Sequence, residues 1–356
     1  MLSTSAQCSM TSGAAGLKLA FQHADTNGWQ AADKHRGRQM GIAAYIKEIG
    51  RGHEGARSLD TERAQDLMAQ VLDGKVTDLE IGAFALAMRI KGETLDELVG
   101  FAQAVQARTL EIRSDRPVVV IPSYNGARKL PNLTPLLAMR LAQEGHRVLV
   151  HGQRHDPARV TSAEIFSALG LPAADSAVAV HECWSRHEPA FITTETLSPS
   201  LQRLLDVRWV VGLRNSGHTI AKLLQPVTDA PAVRLASYTH PEFGALMSRF
   251  AERTRADLML LRGTEGEAVA DPRRCPKIDV WLGGAEQAEL GCPAQEGTLA
   301  ELPLLPRAID AATVAVYVQA VLSGEKPAPA PLERQVDVLQ RALARLGTAP
   351  AQERRA

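Results

Sequence analysis

Cysteine and aromatic residues are both scarce in this sequence. Four cysteines stand at positions 8, 183, 275 and 292 of the 356 residues, and none forms a Cys-x-x-Cys pair. This spacing argues against a disulfide scaffold or a zinc ribbon and favours reduced thiols in a cytoplasmic protein. Phe, Trp and Tyr make up 4% of the chain and are not interleaved with its basic residues, so base stacking in the manner of an OB fold is not predicted. We predict no metal site and no cofactor.

Charge of one sign and long apolar runs are absent as well. Lys and Arg number 40 and Asp and Glu number 40, which gives a formal net charge of zero. That balance argues against a protein coated in positive charge, but it leaves local basic patches open, because a partner responds to the field of one face. No apolar run approaches the ~20 residues of a membrane span. Residues 1–20 lack the pattern of a signal peptide. The expected localisation is cytoplasmic, with no membrane partner.

The composition and hydrophobic pattern of the chain predict three segments. Residues 1–40 are rich in Ser, Ala, Gly and Gln and are predicted to be a disordered extension, with Met40 as a candidate natural start. Residues 41–113 have a helical pattern with capping signals, which predicts a small all-helical domain of four or five helices. Residues 114–350 are predicted to form a larger α/β domain, from which parts of the chain can return to the helical domain.

Alternating strands and helices define the predicted α/β domain. The continuous apolar run 118–124 is typical of a strand buried on both faces of a sheet. Further strands are predicted at 147–151, 209–213, 233–237 and 258–262. Helices are predicted at 134–144, 161–169, 216–224, 241–254 and 332–346. This order predicts a mainly parallel central sheet with flanking helices.

A polar turn follows the first buried strand. Ser123, Asn125 and Gly126 lie between that strand and the next helix, where α/β proteins bind ligands and free peptide N–H groups can hold an anion. His151, at the end of the next strand, is a further cleft candidate. We interpret these four residues as a candidate anion-binding loop and assign no catalytic residue.

Several longer strings carry a family resemblance. Arg89–Leu98, Gly145–Arg154 and Gln225-Pro226 resemble anthranilate phosphoribosyltransferases and class II pyrimidine phosphorylases, over about residues 42–345. The resemblance to this glycosyltransferase family 3 fold implies a helical dimerisation domain, an α/β domain and a substrate cleft between them.

The chain departs from that catalytic family at its chemical centre. The family's diphosphate loop, Gly-Thr-Gly-Gly-Asp-Gly, corresponds to Pro122–Ala127, which keeps one glycine of four. The family's magnesium-binding Asp-Glu pair falls at Ala268 and Val269. Nearby Glu265 and Glu267 are expected to be solvated loop residues rather than cation ligands. Ordinary phosphoribosyl transfer is therefore not expected.

The same departures resemble a second branch of the fold. Ile121–Lys129, Asn132–Leu137, Gly212–Ser216 and Arg262–Glu267 are similar to the YbiB-type proteins. This resemblance implies a homodimer that binds nucleic acid, DNA or RNA, with little sequence preference. It implies no established transferase activity.

The charge pattern provides a separate argument for such binding. Residues 121–160 contain six Lys or Arg against two acids, residues 196–228 contain four against one, and residues 279–302 contain five acids and no base. Clustered cations are needed to meet phosphates, and this pattern favours backbone contact over base readout. The predicted nucleic-acid-binding residues are Arg203, Arg208, Arg214, Lys222, Arg128, Lys129, Arg154 and Arg159.

Two alternatives stay open at this point. The first is a phosphoribosyl or related glycosyl transferase in which Ser123, Asn125, Lys129 and Arg154 hold a phosphate and His151 assists. The second is a sensor whose cleft binds a nucleotide-like anion. If these residues do not bind nucleic acid, Arg203 and Arg208 are expected to lie on a solvated helix face. Arg214 is then expected to line the cleft and pair with a carboxylate.

Overall fold

The computed structural model describes residues 41–52 and 54–348. The predicted disordered extension at 1–40 lies outside the described residues. In the described part, no helix has the length and apolarity needed to cross a bilayer. The predicted fold class is confirmed: a helical bundle is followed by an α/β region with a largely parallel sheet. The domain boundaries proposed from the sequence stay a prediction.

Four helices form the N-terminal bundle, and side-chain caps mark the starts of the second, third and fourth. The Asp60 carboxylate accepts a hydrogen bond from the Arg63 N–H at 2.9 Å. Complete capping boxes at Thr77 and Thr94 show that the capping signals in this segment do begin helices. Gly100 allows close packing within the bundle, since a Cβ atom there would lie 2.3 Å from the Thr61 carbonyl oxygen. The helices are α1 (Ala43–Ile49), α2 (Thr61–Leu72), α3 (Asp78–Lys91) and α4 (Leu95–Gln106).

The strands that follow the bundle are β1 (Ile112–Arg113), β2 (Val118–Ser123), β3 (Arg147–Gly152), β4 (Ala190–Thr193), β5 (Val227–Thr228), β6 (Ala232–Tyr238), β7 (Leu258–Arg262), β8 (Ile278–Leu282) and β9 (Ala285–Glu286). A seven-stranded sheet organises this part of the chain, in the order β4-β3-β2-β6-β7-β8-β9. In that order the strands from β4 to β7 are parallel, whereas β8 and β9 continue the sheet in antiparallel pairing. Strands β1 and β5 pair separately with each other.

The sheet separates two hydrophobic cores. Val118 and Val120 of β2 belong to the core that includes the N-terminal helices, whereas Val119 and Ile121 belong to the core on the opposite face. Alternation with a period of two places successive side chains on opposite faces of a strand. Because every residue of β2 is buried, this strand has the continuous apolar character expected of a parallel sheet covered on both sides.

Helices cover both faces of the sheet, and the last of them begins with a proline in its first turn. Pro331 follows Ala330, the first residue of this helix, so the helix begins two residues before its predicted start at 332. The helices are α5 (Thr134–Gln143), α6 (Ser162–Ala168), α7 (Ala177–Ser185), α8 (Thr194–Leu197), α9 (Pro199–Val211), α10 (Ser216–Ile220), a 3₁₀ turn (Ala221–Leu223), α11 (Pro241–Thr254), α12 (Ala311–Leu322) and α13 (Ala330–Thr348).

The strand predicted at 209–213 is wrong. Residues 209–211 form the last turn of α9, which ends at Gly212 in a left-handed conformation with φ of +76°. Trp209 and Val210 are 55% and 89% exposed, so the short apolar run lies on the protein surface. Such a run cannot be assigned to strand or helix by its periodicity alone.

Helices α9 and α10 return to the N-terminal bundle. The Arg203 guanidinium donates to the Leu72 carbonyl oxygen at 3.0 Å, and the Ser216 hydroxyl donates to the Glu93 carboxylate at 2.6 Å. The same helices also border the loops that follow β2 and β3. The candidate cleft therefore lies where the bundle, α9 and the carboxyl ends of the strands meet.

Candidate anion-binding cleft

The loop after β2 holds a carboxylate of the protein itself. The peptide N–H groups of Asn125 and Gly126 both donate to Glu267 Oε1 at 2.7 Å. The hydroxyl of Ser123 donates to Glu267 Oε2, as does that of Thr134 at 3.2 Å. Glu267 is 1% exposed, so its predicted position in a solvated loop is wrong.

A chain of hydrogen bonds from Asn132 through Ser162 orients the Ser123 hydroxyl toward Glu267. Asn132 Nδ2 donates to Ser162 Oγ at 3.0 Å, and the two hydroxyls of Ser162 and Ser123 lie 2.7 Å apart. An ionised carboxylate can only accept hydrogen bonds, so Ser123 must donate to Glu267 and accept from Ser162. Thr134 also begins α5, whose amino-terminal end carries a partial positive charge. All of these groups are oriented to hold an anion.

A second carboxylate closes the far end of the same loop. Glu265 Oε2 accepts from the Arg128 N–H at 2.6 Å, and Glu265 Oε1 accepts from the Lys129 N–H at 3.0 Å. Glu265 adopts a positive φ of 54°, and Gly266 beside it a φ of 92°. Each carboxylate of the Glu-Gly-Glu turn therefore satisfies a different pair of peptide N–H groups in the loop 123–129.

His151 does not take part in this anion site. Its Nδ1 atom lies 2.7 Å from the Tyr124 hydroxyl, and its Nε2 atom has no hydrogen-bond partner among the described residues. Complete burial lowers the pKa of His151 to about 3, so the ring is neutral at physiological pH. The structure thus brings Ser123, Asn125 and Gly126 together around Glu267, but not His151.

Ala268 and Val269, which the family resemblance aligns with magnesium ligands, lie in the apolar core. Ala268 and Val269 are buried at 0% and 2% exposure. No group of three or more His, Cys, Asp and Glu side chains suited to a metal ion occurs in the part of the chain that the structure describes.

Arginine side chains gather on the other side of the cleft. Arg208 pairs with Asp156 at 3.0 Å and stacks over the Trp209 ring at 4.0 Å from its centroid. Desolvation is the main cause that lowers the pKa of Arg214, followed by the charges of Arg208 and Arg159. Arg89 of α3 adds to the same field. The side chain of Arg214 makes no hydrogen bond or ion pair within residues 41–52 and 54–348. The nearby Asp156 carboxylate favours its charged form through space but is paired with Arg208, so the half-buried guanidinium has no ion-pair partner of its own there.

Lys222 and His218 extend this field into the cleft. Desolvation, together with the charge of Arg214, lowers the pKa of Lys222 to about 8, although Glu267 acts in the opposite direction. Desolvation and the charges of Arg214 and Arg208 lower the pKa of His218 to about 3. At neutral pH His218 is therefore uncharged, whereas most Lys222 side chains carry a proton.

Some of the predicted nucleic-acid-binding residues are held by contacts within the protein, and the others are exposed without such contacts among the described residues. Arg203 is directed to the carboxyl end of α2 through its bond to the Leu72 carbonyl, whereas Arg208 contacts the loop after β3. Arg159 donates to the Gly126 carbonyl oxygen at 3.1 Å. Arg128, Lys129 and Arg154 are exposed, and their side chains make no hydrogen bond or ion pair with any described residue.

The two basic segments of the sequence meet in space. The Gln153 and Gln202 side-chain amides exchange hydrogen bonds of 3.2 Å, and the Arg208–Asp156 pair links the same two segments. The acidic segment 279–302 includes β8 and β9, at the opposite edge of the sheet from β3 and β4. Charge that is separated along the chain is therefore also separated across the sheet.

Sequence reasoning misses three residues of this cleft. Arg89 belongs to the string that carries the family resemblance, and its position before a helix end is an available signal. Trp209 falls in the run that the sequence pattern assigns to a strand. The role of Glu267 has no local signal, because its hydrogen-bond donors lie more than 130 residues away in the sequence.

Comparisons with known proteins agree with this architecture. Residues 43–109 match the helical bundle domain of the glycosyl transferase family. The crystal structure of anthranilate phosphoribosyltransferase from Thermus thermophilus has a TM-score of 0.61 at 23% identity and covers 86% of this chain and 90% of that chain. The chain therefore has an anthranilate phosphoribosyltransferase-like fold.

Proteins similar in sequence identify the family to which the chain belongs. Anthranilate phosphoribosyltransferase of Dehalococcoides mccartyi (strain ATCC BAA-2266) is 28% identical over 189 residues, and the match spans only 54% of that protein. The uncharacterized protein YbiB of Escherichia coli strain K12 is 40% identical over 300 residues, 83% of this chain and 92% of that protein. The chain belongs to the YbiB family.

Proposed function

We propose that this protein is a cytoplasmic homodimer that binds the phosphate backbone of DNA, and of RNA, with little dependence on sequence. The observation that carries the proposal is the convergence of the two basic segments at a cleft where Arg214 has no ion-pair partner among the described residues, since the nearby Asp156 carboxylate pairs with Arg208. An unpaired guanidinium beside two other arginines is costly without an anionic ligand, and a phosphate diester supplies that anion.

Exposed cations around the cleft extend this surface. Arg128, Lys129 and Arg154 flank the loops after β2 and β3 and have no ion-pair partner among the described residues. Long side chains that are free to move suit contact with phosphates of any sequence, because the backbone presents the same charge at every step. Base readout would need polar side chains fixed against base edges, and the cleft supports backbone contact better.

A salt titration tests this proposal directly. We expect binding of fluorescein-labelled oligonucleotides, followed by anisotropy, to weaken steeply as salt rises, because bound cations release counterions from the duplex. With about four to five phosphates contacted, the logarithm of the association constant should fall with a slope of about −4 against the logarithm of salt concentration. Two duplexes of equal length and different sequence should give the same curve. Absence of binding at low salt, or a flat salt response, would overturn the proposal.

An exposed apolar surface supports the homodimer. Leu79, Leu86 and Ile90 of α3 are 76%, 45% and 58% exposed, and Val210 of the neighbouring α9 is 89% exposed. Their spacing along α3 places them within one broad side of the helix. Large apolar side chains exposed together on one side of a helix are typical of a protein–protein contact. We assign it to a second copy of this chain, since dimerisation would place two basic clefts in one particle.

Charge introduced on this surface should prevent dimerisation. We expect the double variant Leu86→Asp, Ile90→Asp to sediment as a monomer, because each aspartate would have to be buried without a partner at the interface. Leu302→Asp is the matched control, since Leu302 is exposed to the same 58% as Ile90 but lies outside α3. Sedimentation velocity distinguishes the two states. An unchanged dimer in the double variant, or a monomeric native protein, would contradict the assignment.

A phosphoribosyltransferase activity is the second candidate function. The anthranilate phosphoribosyltransferase-like fold and the sequence similarity to those enzymes favour it. The occupied loop after β2 and the apolar residues at Ala268 and Val269 argue against it, because little is left to stabilise a departing diphosphate. Turnover of phosphoribosyl diphosphate with anthranilate in the presence of magnesium would establish this activity in place of the first proposal.

A further inference from the structure

The site around Glu267 is complete as an anion site. Two peptide N–H groups and two hydroxyls donate to one buried carboxylate, and the hydroxyl of Ser123 is itself polarised by Ser162. These donors come from the last residue of β2, the loop after it and the first residue of α5, so they do not depend on the turn that supplies the glutamate. Converging donors at a helix start bind phosphate oxygens as well as carboxylate oxygens.

The turn that carries Glu267 is held firmly in place. The Gly266 carbonyl oxygen accepts from Asn125 Nδ2 and from the Ser237 hydroxyl, both at 2.8 Å. Gly266 has a φ of 92°, and a Cβ atom at this position would lie 2.2 Å from Asn125 Nδ2. The glycine therefore permits a close approach between the turn and the loop. This fixed approach keeps the carboxylate of Glu267 on its donors.

We propose that Glu267 is an internal anion that excludes phosphate monoesters and diphosphates from the loop after β2. A free phosphate and the Glu267 carboxylate need the same N–H and hydroxyl donors. Two anions within about 3 Å of each other repel strongly in a buried site, where screening by water is weak. Because the carboxylate is covalently attached, it is always present at high effective concentration. The loop thus retains the donors of a phosphate site but rejects small phosphorylated ligands.

The anion site around Glu267 is independent of nucleic-acid binding. It uses the peptide N–H groups of Asn125 and Gly126 and the hydroxyls of Ser123 and Thr134. The proposed backbone contacts use the side chains of arginines and lysines, including Arg128 and Lys129 farther along the same loop. Removal of Glu267 should therefore create affinity for inorganic phosphate whether or not the protein binds an oligonucleotide.

Replacement of Glu267 by alanine provides the test. In isothermal titration with inorganic phosphate at constant ionic strength, we expect Glu267→Ala to bind phosphate at least about tenfold more tightly than the native protein, as the intramolecular competitor is lost. The amide resonances of Asn125 and Gly126 should move on phosphate addition in this variant and stay fixed in the native protein. Glu265→Gln is the matched control, because it removes one negative charge from the same turn but retains an acceptor oxygen for Arg128 and Lys129.

Loss of the carboxylate leaves four buried donors unsatisfied, so the stability of the variant is part of the test. We expect Glu267→Ala to melt at a lower temperature than the native protein and to recover with phosphate but not with chloride at equal ionic strength. Glu267→Gln keeps the side-chain shape and should bind phosphate with intermediate affinity. The proposal is overturned if neither variant binds phosphate more tightly than the native protein, or if Glu265→Gln gains the same affinity as Glu267→Ala.

Discussion

Reversal of the charge at Arg214 is expected to weaken nucleic-acid binding by about 30-fold to 100-fold at 0.1 M salt, by loss of a phosphate contact and added repulsion. Arg214 lies half-buried beside Arg208 and Arg159, and its guanidinium has no ion pair among the described residues. In Arg214→Glu the new carboxylate can pair with those arginines and withdraw them from phosphates. The single substitution therefore removes more than one cation from the binding surface.

A charge reversal outside the cleft, at Arg307, distinguishes the loss of a cleft cation from a general change of net charge. Arg307→Glu changes the net charge by the same amount at an exposed position, outside both basic segments. We expect Arg307→Glu to bind within about twofold of the native protein, since exposed charges beyond a Debye length are screened. Arg214→Glu should also reduce the slope of the salt plot by about 1 or more. Equal weakening by both variants would show that net charge, rather than the cleft, determines binding.

Features with local causes could be predicted from the sequence. The starts of α2, α3 and α4 follow from a polar residue and the hydrogen bonds that it forms within one helical turn. The buried strand β2 follows from six consecutive residues without a charge. In each case the residues that decide the structure are neighbours in the chain.

Features that depend on distant partners could not be predicted in this way. Glu265 and Glu267 form a pattern that fits a solvated turn, and only the fold brings them to the loop after β2. The apolar residues 209–211 have the composition of a strand, but they end a helix whose outer side remains exposed. The antiparallel strands β8 and β9 are also absent from the sequence prediction, because a short sequence with two glycines between them carries little periodicity.

The arrangement of the basic residues could be predicted only in part from the sequence. Their clustering in two segments is visible in the sequence, and the structure brings those segments into contact through Arg208 and Asp156. Which arginines are already paired is not visible there. Arg208 has a carboxylate partner, whereas Arg214 has none among the described residues. For this reason Arg214 provides the sharper test of binding.

Substitution of Glu97 by alanine is expected to reduce the free energy of unfolding by about 3–5 kcal/mol, the range measured for one partner lost from a buried ion pair. Glu97 is 0% exposed and accepts hydrogen bonds from Lys91 Nζ at 2.6 Å and from the Leu59 N–H at 3.0 Å. It also accepts from the N–H and hydroxyl of Thr94 at the start of α4. The alanine variant leaves all of these donors without their acceptor.

The buried ammonium group should dominate this loss. The Lys91 side chain is 8% exposed, and after Glu97→Ala its one remaining hydrogen-bond acceptor among the described residues is the Gly92 carbonyl oxygen, at 2.9 Å. We therefore expect the double variant Lys91→Met, Glu97→Ala to be more stable than Glu97→Ala alone, because it removes the uncompensated charge. Glu62→Ala, at an exposed position of α2, should change stability by no more than about 0.5 kcal/mol. Urea unfolding of the four proteins measures these differences. If Glu97→Ala were no less stable than Glu62→Ala, the ion pair would not anchor the junction of α3 and α4.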